Sequence, residues 1–424
     1  MSFSLVSSGS NAHGQLANGT IDDAHTFLPC IFDDGNSMKL SISEKIIHIA
    51  TGGNHTLLLS ESTEETTGRT KRSLWGCGDN ARGQLANYGR NGDKAVFRRI
   101  DLQLAENDLE DYQPRLLCCS WETSYVVLSR EGNPDLLISM GSNDFRDLGV
   151  GQTVRTKLLH TVQFDHLRVD GLALDGSSLQ VISISAGQHH VITQLQTQLS
   201  DQSRRTLIIG WGAARHGQLG DTSTLNKKAP FFSIPIIIDI TPCPDDPVVQ
   251  IALGHHHSVF LHESGCLSYS GSNRKSQISG LDSFHDVLYV GCTWNGTYFI
   301  DASGTVYATG SSSKGQLGRS SRVDIPSLIQ PYPVEFPFTM HSMYMSRIAC
   351  GSEHVLALFS EPGLSPEVWG WGWNEHGNMG SCSTMDVHTP LKLWPRAADD
   401  AGNIAIGIWA GCGTSWIALA RQSS

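Results

Sequence analysis

Histidine is the residue type in this chain whose spacing most invites a chemical interpretation. His55, His190, His257 and His354 each lie three residues after a glycine, within similar apolar segments. Imidazole can serve as a general acid or base and as a metal ligand. A catalytic group is needed once, however, whereas this position recurs. Because imidazole supplies a donor and an acceptor, we predict a structural role for these histidines, with hydrogen bonds between neighbouring repeats.

The run His255–His257 raises the separate question of a metal site. On a strand, side chains alternate, so His255 and His257 would share a face while His256 points away. Two ligands without a third or fourth do not make a zinc site. The ten cysteines contain no CxxC pair and are expected to be reduced. We therefore predict no metal and no cofactor.

Other catalytic motifs are missing from the sequence. The glycine-rich segments GCGDNARG (76–83) and GWGWNEHG (370–377) superficially resemble phosphate-binding loops, but they lack GxxxxGK[ST] and their pattern recurs seven times. GxSxG is absent, and no Ser or Cys is linked in sequence to an identifiable base. We expect no catalytic residues and no enzymatic activity of the chain itself.

Internal repetition determines the elements that position these residues. A glycine-rich segment recurs seven times, and each copy is followed by an apolar segment such as IIHIATGGNHTLLL (46–59). Seven unequal copies indicate one repeat domain over 1–424, with the longest loop insertions at about 152–180 and 222–247. The anchor residues of the seven glycine-rich copies are Leu16, Leu85, Leu148, Leu219, Ile278, Leu317 and Met379.

The repeats predict an all-β, seven-bladed β-propeller. Each apolar segment is hydrophobic on successive residues, which favours a strand buried on both faces. Short turns such as HESG (262–265) and DASG (301–304) would connect it to the next glycine-rich strand as a hairpin. Seven such units fit the usual range of propeller blades. Pairing the first strand (about 3–9) with the last (about 404–420) would close the ring and remove an open edge.

Several tryptophans break the repeat and are candidates for recognition. Trp121 and Trp294 replace a glycine at matching places in the second and fifth repeats. Tryptophan is enriched among interface hot spots, although core packing is the alternative explanation. Trp409 and Trp416, in the closing segment, are expected in the core. The candidate partner-binding residues are Trp121, Glu122, Trp294, Asn295, Trp373, Glu375 and His376.

Charge and hydrophobicity exclude several classes of partner. The chain has 30 Lys and Arg against 41 Asp and Glu, a net charge of −11. An acidic surface repels phosphate, so we expect no direct nucleic-acid partner and no anionic membrane. No apolar run reaches the roughly 18 residues of a membrane span, and no secretory signal is visible. A cytoplasmic or nuclear location is the expectation.

The pairing of GxNxxGQL with segments of the GxxH type resembles the propeller repeats of the regulator of chromosome condensation family, across all seven repeats. The irregular repeats are similar to those of the fungal alpha-tubulin suppressor family, also called killer-toxin-insensitivity thirteen. The segments that carry this similarity are CSWETSYVV (119–127), CTWNGTYFI (292–300), WGWGWNEHGN (369–378) and GCGTSWIAL (411–419).

The resemblance implies a non-catalytic propeller that binds protein. It implies a heterodimer with a small zinc-ribbon electron-carrier protein of the diphthamide pathway. Such a pair supports Elongator-dependent modification of tRNA wobble uridines and diphthamide synthesis on elongation factor two. The alternative is a guanine-nucleotide exchange factor for a small GTPase, a function that the broader repeat family includes. A ubiquitin-ligase or membrane-traffic adaptor is a third possibility.

Overall fold

Seven sheets, built almost entirely of antiparallel strand pairs, follow one another around a closed ring in the computed structural model of this chain. It is the all-β, seven-bladed propeller that the repeats predict, and among the described residues helix is confined to two 3-10 turns, Ala105–Asn107 and Leu281–Ser283. The described residues are 3–64, 68–86, 95–151, 158–220, 229–240, 246–320, 330–338, 343–361, 363–396 and 402–421.

An inner strand from each blade lines the central channel, and each contacts the inner strands of the two neighbouring blades. In blade order, with strands numbered along the chain, they are β5 (Lys45–Thr51), β9 (Gln113–Cys119), β14 (Leu172–Ala186), β18 (Val248–Leu253), β21 (Val287–Thr293), β25 (Tyr344–Cys350) and β29 (Asn403–Ala410).

Each inner strand pairs with a second strand of the same blade. These second strands are β6 (His55–Thr63), β10 (Thr123–Ser129), β15 (His190–Leu199), β19 (His257–His262), β22 (Gly296–Asp301), β26 (His354–Ser360) and β30 (Thr414–Arg421).

The third strand of each blade comes from a glycine-rich segment. The third strands are β7 (Thr70–Gly78), β11 (Leu136–Gly141), β16 (Arg204–Ala213), β20 (Leu267–Gly271), β23 (Val306–Gly310), β27 (Glu367–Gly372) and, in blade seven, β1 (Phe3–Gly9). The predicted turn at 262–265 connects β19 to β20, and that at 301–304 connects β22 to β23, as antiparallel hairpins.

Shorter strands complete the blades. The outer strands are β8 (Phe97–Arg99), β12 (His160–Thr161), β17 (Phe231–Ile237), β24 (Tyr332–Pro333), β28 (Val387–Trp394) and β2 (Ala24–Pro29). Two additional strands are at sheet edges, β4 (Met38–Lys39) and β13 (Arg168–Val169). A third, β3 (Phe32–Asp33), lies between β4 and β8 and runs parallel to β8.

The apolar segments form two strands each rather than one, which corrects the sequence-based prediction. Segment 46–59, for example, turns at 52–55 and continues as β6. Gly52 allows this turn, because a Cβ atom there would lie 2.2 Å from Cε1 of His55. A run of apolar residues cannot distinguish one buried strand from two that flank a short turn.

The chain ends close the ring as predicted. β1 lies between β30 and β2, and its pairing with β30 runs from Phe3 opposite Ala420 to Gly9 opposite Thr414. The segment expected as one strand over 404–420 is again two strands, and the second of them makes the closure. Blade seven therefore combines the two ends of the chain in one sheet.

The structure describes parts of both predicted insertions. In 152–180, residues 152–157 lie outside the described part of the chain, and 172–180 belong to strand β14 rather than to a loop. The reason is that β15 extends to Leu199, which pairs with Leu174. In 222–247, the described part includes strand β17, while 222–228 and 241–245 lie outside it.

The core lies between adjacent blades. All seven anchor residues of the glycine-rich copies are buried, as are Trp409 and Trp416 in the closing blade, which confirms their predicted place in the core. Buried aromatic side chains between sheets bury large apolar areas, so the blades pack into one rigid ring.

Candidate partner-binding face

The repeated histidines join neighbouring blades, as their recurrence predicts. In each case Nε2 lies within hydrogen-bond distance of a hydroxyl on the next blade, and each imidazole is buried. The four contacts are His55 to Ser124 (2.8 Å), His190 to Ser258 (3.1 Å), His257 to Thr297 (3.2 Å) and His354 to Ser415 (3.0 Å). The imidazoles are therefore structural hydrogen-bonding groups.

Burial also keeps these imidazoles neutral. Desolvation lowers the pKa of His55 and His354 to about 4, and that of His190 and His257 to about 3. A neutral ring can donate or accept at Nε2, whereas a charged ring without a carboxylate partner would be costly at this depth.

Two blade junctions replace the histidine with aromatic contacts. Thr123 and Gly296 stand where the histidine would be, and the next blade there carries Val191 or Val355 instead of a hydroxyl residue. Tyr125 and Trp211 both donate to the Asp147 carbonyl, at 2.5 and 2.8 Å, and Tyr298 and Trp371 both donate to that of Gln316, at 2.7 and 2.9 Å. The sequence analysis did not identify which residue of the next blade each histidine contacts. The residue that follows the repeat position could have shown it, because a hydroxyl residue stands there on the blade after each histidine.

The two tryptophans that break the repeat meet at one mouth of the channel. The ring centroids of Trp121 and Trp294 are 5.8 Å apart at an interplanar angle of 47°. Hydrogen bonds between turns hold their backbones, from Trp121 N to Gln188 O (3.0 Å) and from Trp294 N to Ser352 O (2.7 Å). We call the side of the ring that carries the turns 52–55, 120–123, 187–190, 254–257, 293–296, 351–354 and 411–414 the tryptophan face.

Histidines extend this aromatic surface. His255 lies 5.7 Å from Trp294 and 3.6 Å from His256, and His256 stacks on His216 at 4.0 Å. Burial, with neighbouring histidines, lowers the pKa of His255 to about 4. Desolvation also lowers the pKa of His256 and His216, with nearby cations adding to the effect. At neutral pH the cluster is therefore uncharged and can pack against apolar or aromatic groups.

The expectation that His255 and His257 share a strand face is wrong. His255 and His256 lie in the turn 254–257 and their rings contact each other, whereas His257 begins β19 and points into the blade junction. Among the described residues, no group of three or more His, Cys, Asp or Glu side chains is arranged to hold a metal ion.

Trp373 belongs to a second cluster on the tryptophan face. Its Nε1 donates to Glu375 Oε2 at 3.1 Å, and its ring lies 5.2 Å from that of His376. His376 Nδ1 is 2.6 Å from Asp23 Oδ2, a carboxylate that the sequence analysis did not identify. No described ring contact links this cluster to the Trp121–Trp294 pair. The seven predicted partner-binding residues therefore divide between two places.

The polar neighbours of the tryptophan pair are engaged within the ring. Glu122 lies 3.9 Å from Arg82, and Asn295 Nδ2 donates to Glu353 Oε1 at 2.5 Å. Gln316 Nε2 donates to the other oxygen of Glu353, and burial raises the pKa of that carboxyl. The Asn295 side chain thus orders the turn beside Trp294. Because it is bonded to Glu353, it is less free to contact a partner.

Comparison with known proteins agrees with this architecture. The family model described as "Regulator of chromosome condensation (RCC1) repeat" matches residues 207–261 and 303–358. A mouse protein (Mus musculus), secretion-regulating guanine nucleotide exchange factor, is 24% identical over 96% of this chain and 82% of its own length. An RCC1 repeat-containing protein of Schizosaccharomyces pombe is 24% identical over 98% of both chains.

Solved structures show the same fold at lower identity. Human WBSCR16 has a TM-score of 0.69 and 18% identity, over 99% of this chain and 100% of its own. Prp20p of Saccharomyces cerevisiae has a TM-score of 0.70 and 17% identity, over 100% and 92%. Among the described residues, no helix is long and apolar enough to cross a membrane. The chain is therefore a seven-bladed propeller that is similar to RCC1 repeat proteins, and the repeat model matches two of its segments.

Proposed function

We propose that this propeller is a non-catalytic, protein-binding subunit and that its tryptophan face holds the partner. The observation that carries the proposal is the contact between Trp121 and Trp294 at the channel mouth. Both side chains are partly exposed, and the adjoining histidines are neutral. Large aromatic groups on a rigid frame lose little conformational entropy on binding, which suits them as interface anchors.

We further propose that the partner is a small zinc-ribbon electron carrier of the diphthamide pathway. The support is the resemblance of the irregular repeats, because those repeats supply the paired tryptophans. In this role the heterodimer would act in the cytoplasm or nucleus. It would support Elongator-dependent modification of tRNA wobble uridines and diphthamide synthesis on elongation factor two. The ring would hold the carrier and limit access to its redox metal.

Co-expression of the two proteins, followed by gel filtration at micromolar concentration, tests the proposal. We expect a 1:1 complex that Trp121→Ala with Trp294→Ala weakens by about thirtyfold or more, as loss of hot-spot residues does. Tyr344→Ala, an exposed aromatic residue on the opposite side of the ring, is the matched control and should bind normally. Failure of the wild-type proteins to form a complex would overturn the choice of partner.

A second candidate function has one specific observation in its favour. The mouse relative that aligns with 96% of this chain is named as a guanine nucleotide exchange factor. Exchange activity would appear as faster release of a fluorescent nucleotide from a small GTPase. Acceleration with any member of a GTPase panel would support this function, and no acceleration across the panel would favour the first.

A further inference from the structure

The side of the ring opposite the tryptophan face carries a repeated backbone irregularity. Every inner strand has a β-bulge, a residue without a partner on the paired strand, at the same place in all seven blades. Strand β14 has a further irregularity between Asp175 and Gln180. The bulged residues are Ile47, Arg115, Ile182, Val249, Leu288, Ser346 and Ile406. Five of the seven are aliphatic.

These aliphatic residues lie on the inner strands, at the end of the channel opposite the tryptophan face, and four of the five are exposed. Their exposed fractions are 45% for Ile182, 55% for Val249, 66% for Leu288 and 43% for Ile406. Scattered exposed aliphatic residues are ordinary on a protein surface. Here they occupy one repeated position around a single opening, which gives an apolar rim.

In four blades the residue after the bulge lines the channel just inside this mouth, and these residues are His48, Gln250, Tyr289 and Arg347. In two adjacent blades this residue bonds to the backbone of the next blade. Gln250 Nε2 donates to Val290 O at 2.9 Å, and Tyr289 Oη donates to Ile348 O at 3.2 Å. Arg347 holds the same position in blade six, but no hydrogen bond of this kind joins it to another described residue. Its guanidinium instead lies over the Trp409 ring, 4.7 Å from the centroid.

Arg347 has no carboxylate partner within the described chain. No described Asp or Glu lies within 4.0 Å of its guanidinium, and no Asp or Glu is among the described residues that line the channel. The neighbouring His48 is neutral, because burial and the Arg347 charge lower its pKa to about 4. A largely desolvated cation without a counter-ion is costly, and a bound carboxylate would remove that cost.

We propose that this mouth is a second docking site, which takes a protruding segment of a partner protein that carries a carboxylate beside aliphatic side chains. The carboxylate would pair with Arg347, and the aliphatic groups would contact the rim at Val249, Leu288 and Ile406. The channel has a volume of about 400 Å³, enough for a few side chains but not for a folded domain. Trp121 and Trp294 lie over the other mouth, so the segment enters from this side.

A defined peptide tests the site directly. The probe is a fluorescein-labelled pentapeptide that alternates leucine with glutamate, and its control has glutamine in place of glutamate. We expect fluorescence anisotropy to show saturable binding of the glutamate peptide alone. Arg347→Met should weaken it by about tenfold or more, because one partner of a charge pair is lost. Arg205→Met, at an exposed arginine, is the matched control.

Further variants keep the result interpretable. If Arg347→Met does not fold, Arg347→Lys keeps the charge but loses the planar fork and should still weaken binding. Leu288→Gln should lower affinity through the rim. Trp121→Ala with Trp294→Ala should leave peptide binding unchanged, so failure of this site and failure of the proposed function are distinguishable.

Four outcomes would overturn the inference. The two peptides could bind equally well, or neither could bind at millimolar concentration. Acetate could displace the glutamate peptide completely at low millimolar concentration, which would indicate a simple anion site. Sedimentation could reveal a dimer of the chain that Leu288→Gln dissociates, in which case a second copy covers the rim.

Discussion

Single side chains show how the ring is joined, and His55 with Ser124 is the clearest case. The imidazole of one blade reaches a hydroxyl of the next at 2.8 Å, deep in the protein. The histidine is missing at three positions, and at two of them, Thr123 and Gly296, the hydroxyl on the next blade is replaced by valine, whereas the blade after Thr414 keeps Thr56. At those two junctions histidine and hydroxyl are lost together, and a buried hydrogen-bonding group is costly when its partner is lost.

His55→Ala should lower stability at pH 7 by about 1–3 kcal/mol, through loss of the bond to Ser124. The wild-type protein should also lose stability as the pH falls from about 6.5 towards 4. In that range the unfolded histidines bind protons while the buried imidazoles, with pKa values near 4 or below, do not. The stability of His55→Ala should fall less on acidification than that of the wild-type protein, because the variant has one buried imidazole fewer.

Urea unfolding at pH 7 and pH 5 measures both effects. His25→Ala, at an exposed histidine, is the control and should unfold like the wild-type protein. An unfolding midpoint of His55→Ala equal to that of the wild-type protein at both pH values would contradict the structural role.

At the scale of single elements, each third strand adopts, at or next to its last residue, a backbone conformation with positive φ, which residues other than glycine rarely adopt. Gly78 ends β7 with φ +96°, and a Cβ atom there would lie 2.4 Å from the Asn54 carbonyl oxygen. Gly78→Ala should therefore destabilise the protein by several kcal/mol, on the order of the cost of backbone strain plus a clash.

Gly132→Ala is the matched control for this element. Gly132 also has a positive φ, +73°, but a Cβ atom there would meet no atom within 4 Å. We expect a loss of about 1 kcal/mol, the cost of the left-handed backbone alone. Thermal melts of the two variants should differ clearly, and equal melting temperatures would show that the clash at Gly78 does not matter.

For the whole molecule, ring closure rests on the first strand. Deletion of residues 1–10 would remove β1 from between β30 and β2, with its buried Leu5 and Val6. Burial of these two side chains alone contributes about 3–6 kcal/mol to the stability of the folded protein, and the open sheet edges would add to the loss of stability. We expect a large fall in melting temperature or an insoluble product. Deletion of 422–424, after the last strand, is the control, and an unchanged melt of the longer truncation would contradict the closure.

The sequence by itself determined the number of blades, the closure of the ring and the hydrogen bonding of the repeated histidines between neighbouring blades, because each follows from a pattern that recurs. It also identified Trp121 and Trp294 as departures from the repeat. It did not separate each apolar segment into two strands, since hydrophobicity persists on both sides of the short turn.

Only the tertiary structure decided what the departures do. Trp121 and Trp294 are far apart in the chain and three blades apart in the ring, and closure alone brings their rings to 5.8 Å. The same holds for the stack of His256 on His216 and for Arg347. No described Asp or Glu lines the channel beside Arg347, and this depends on what every other blade contributes. Contacts across a closed ring depend on its global geometry, which no local spacing of residues encodes.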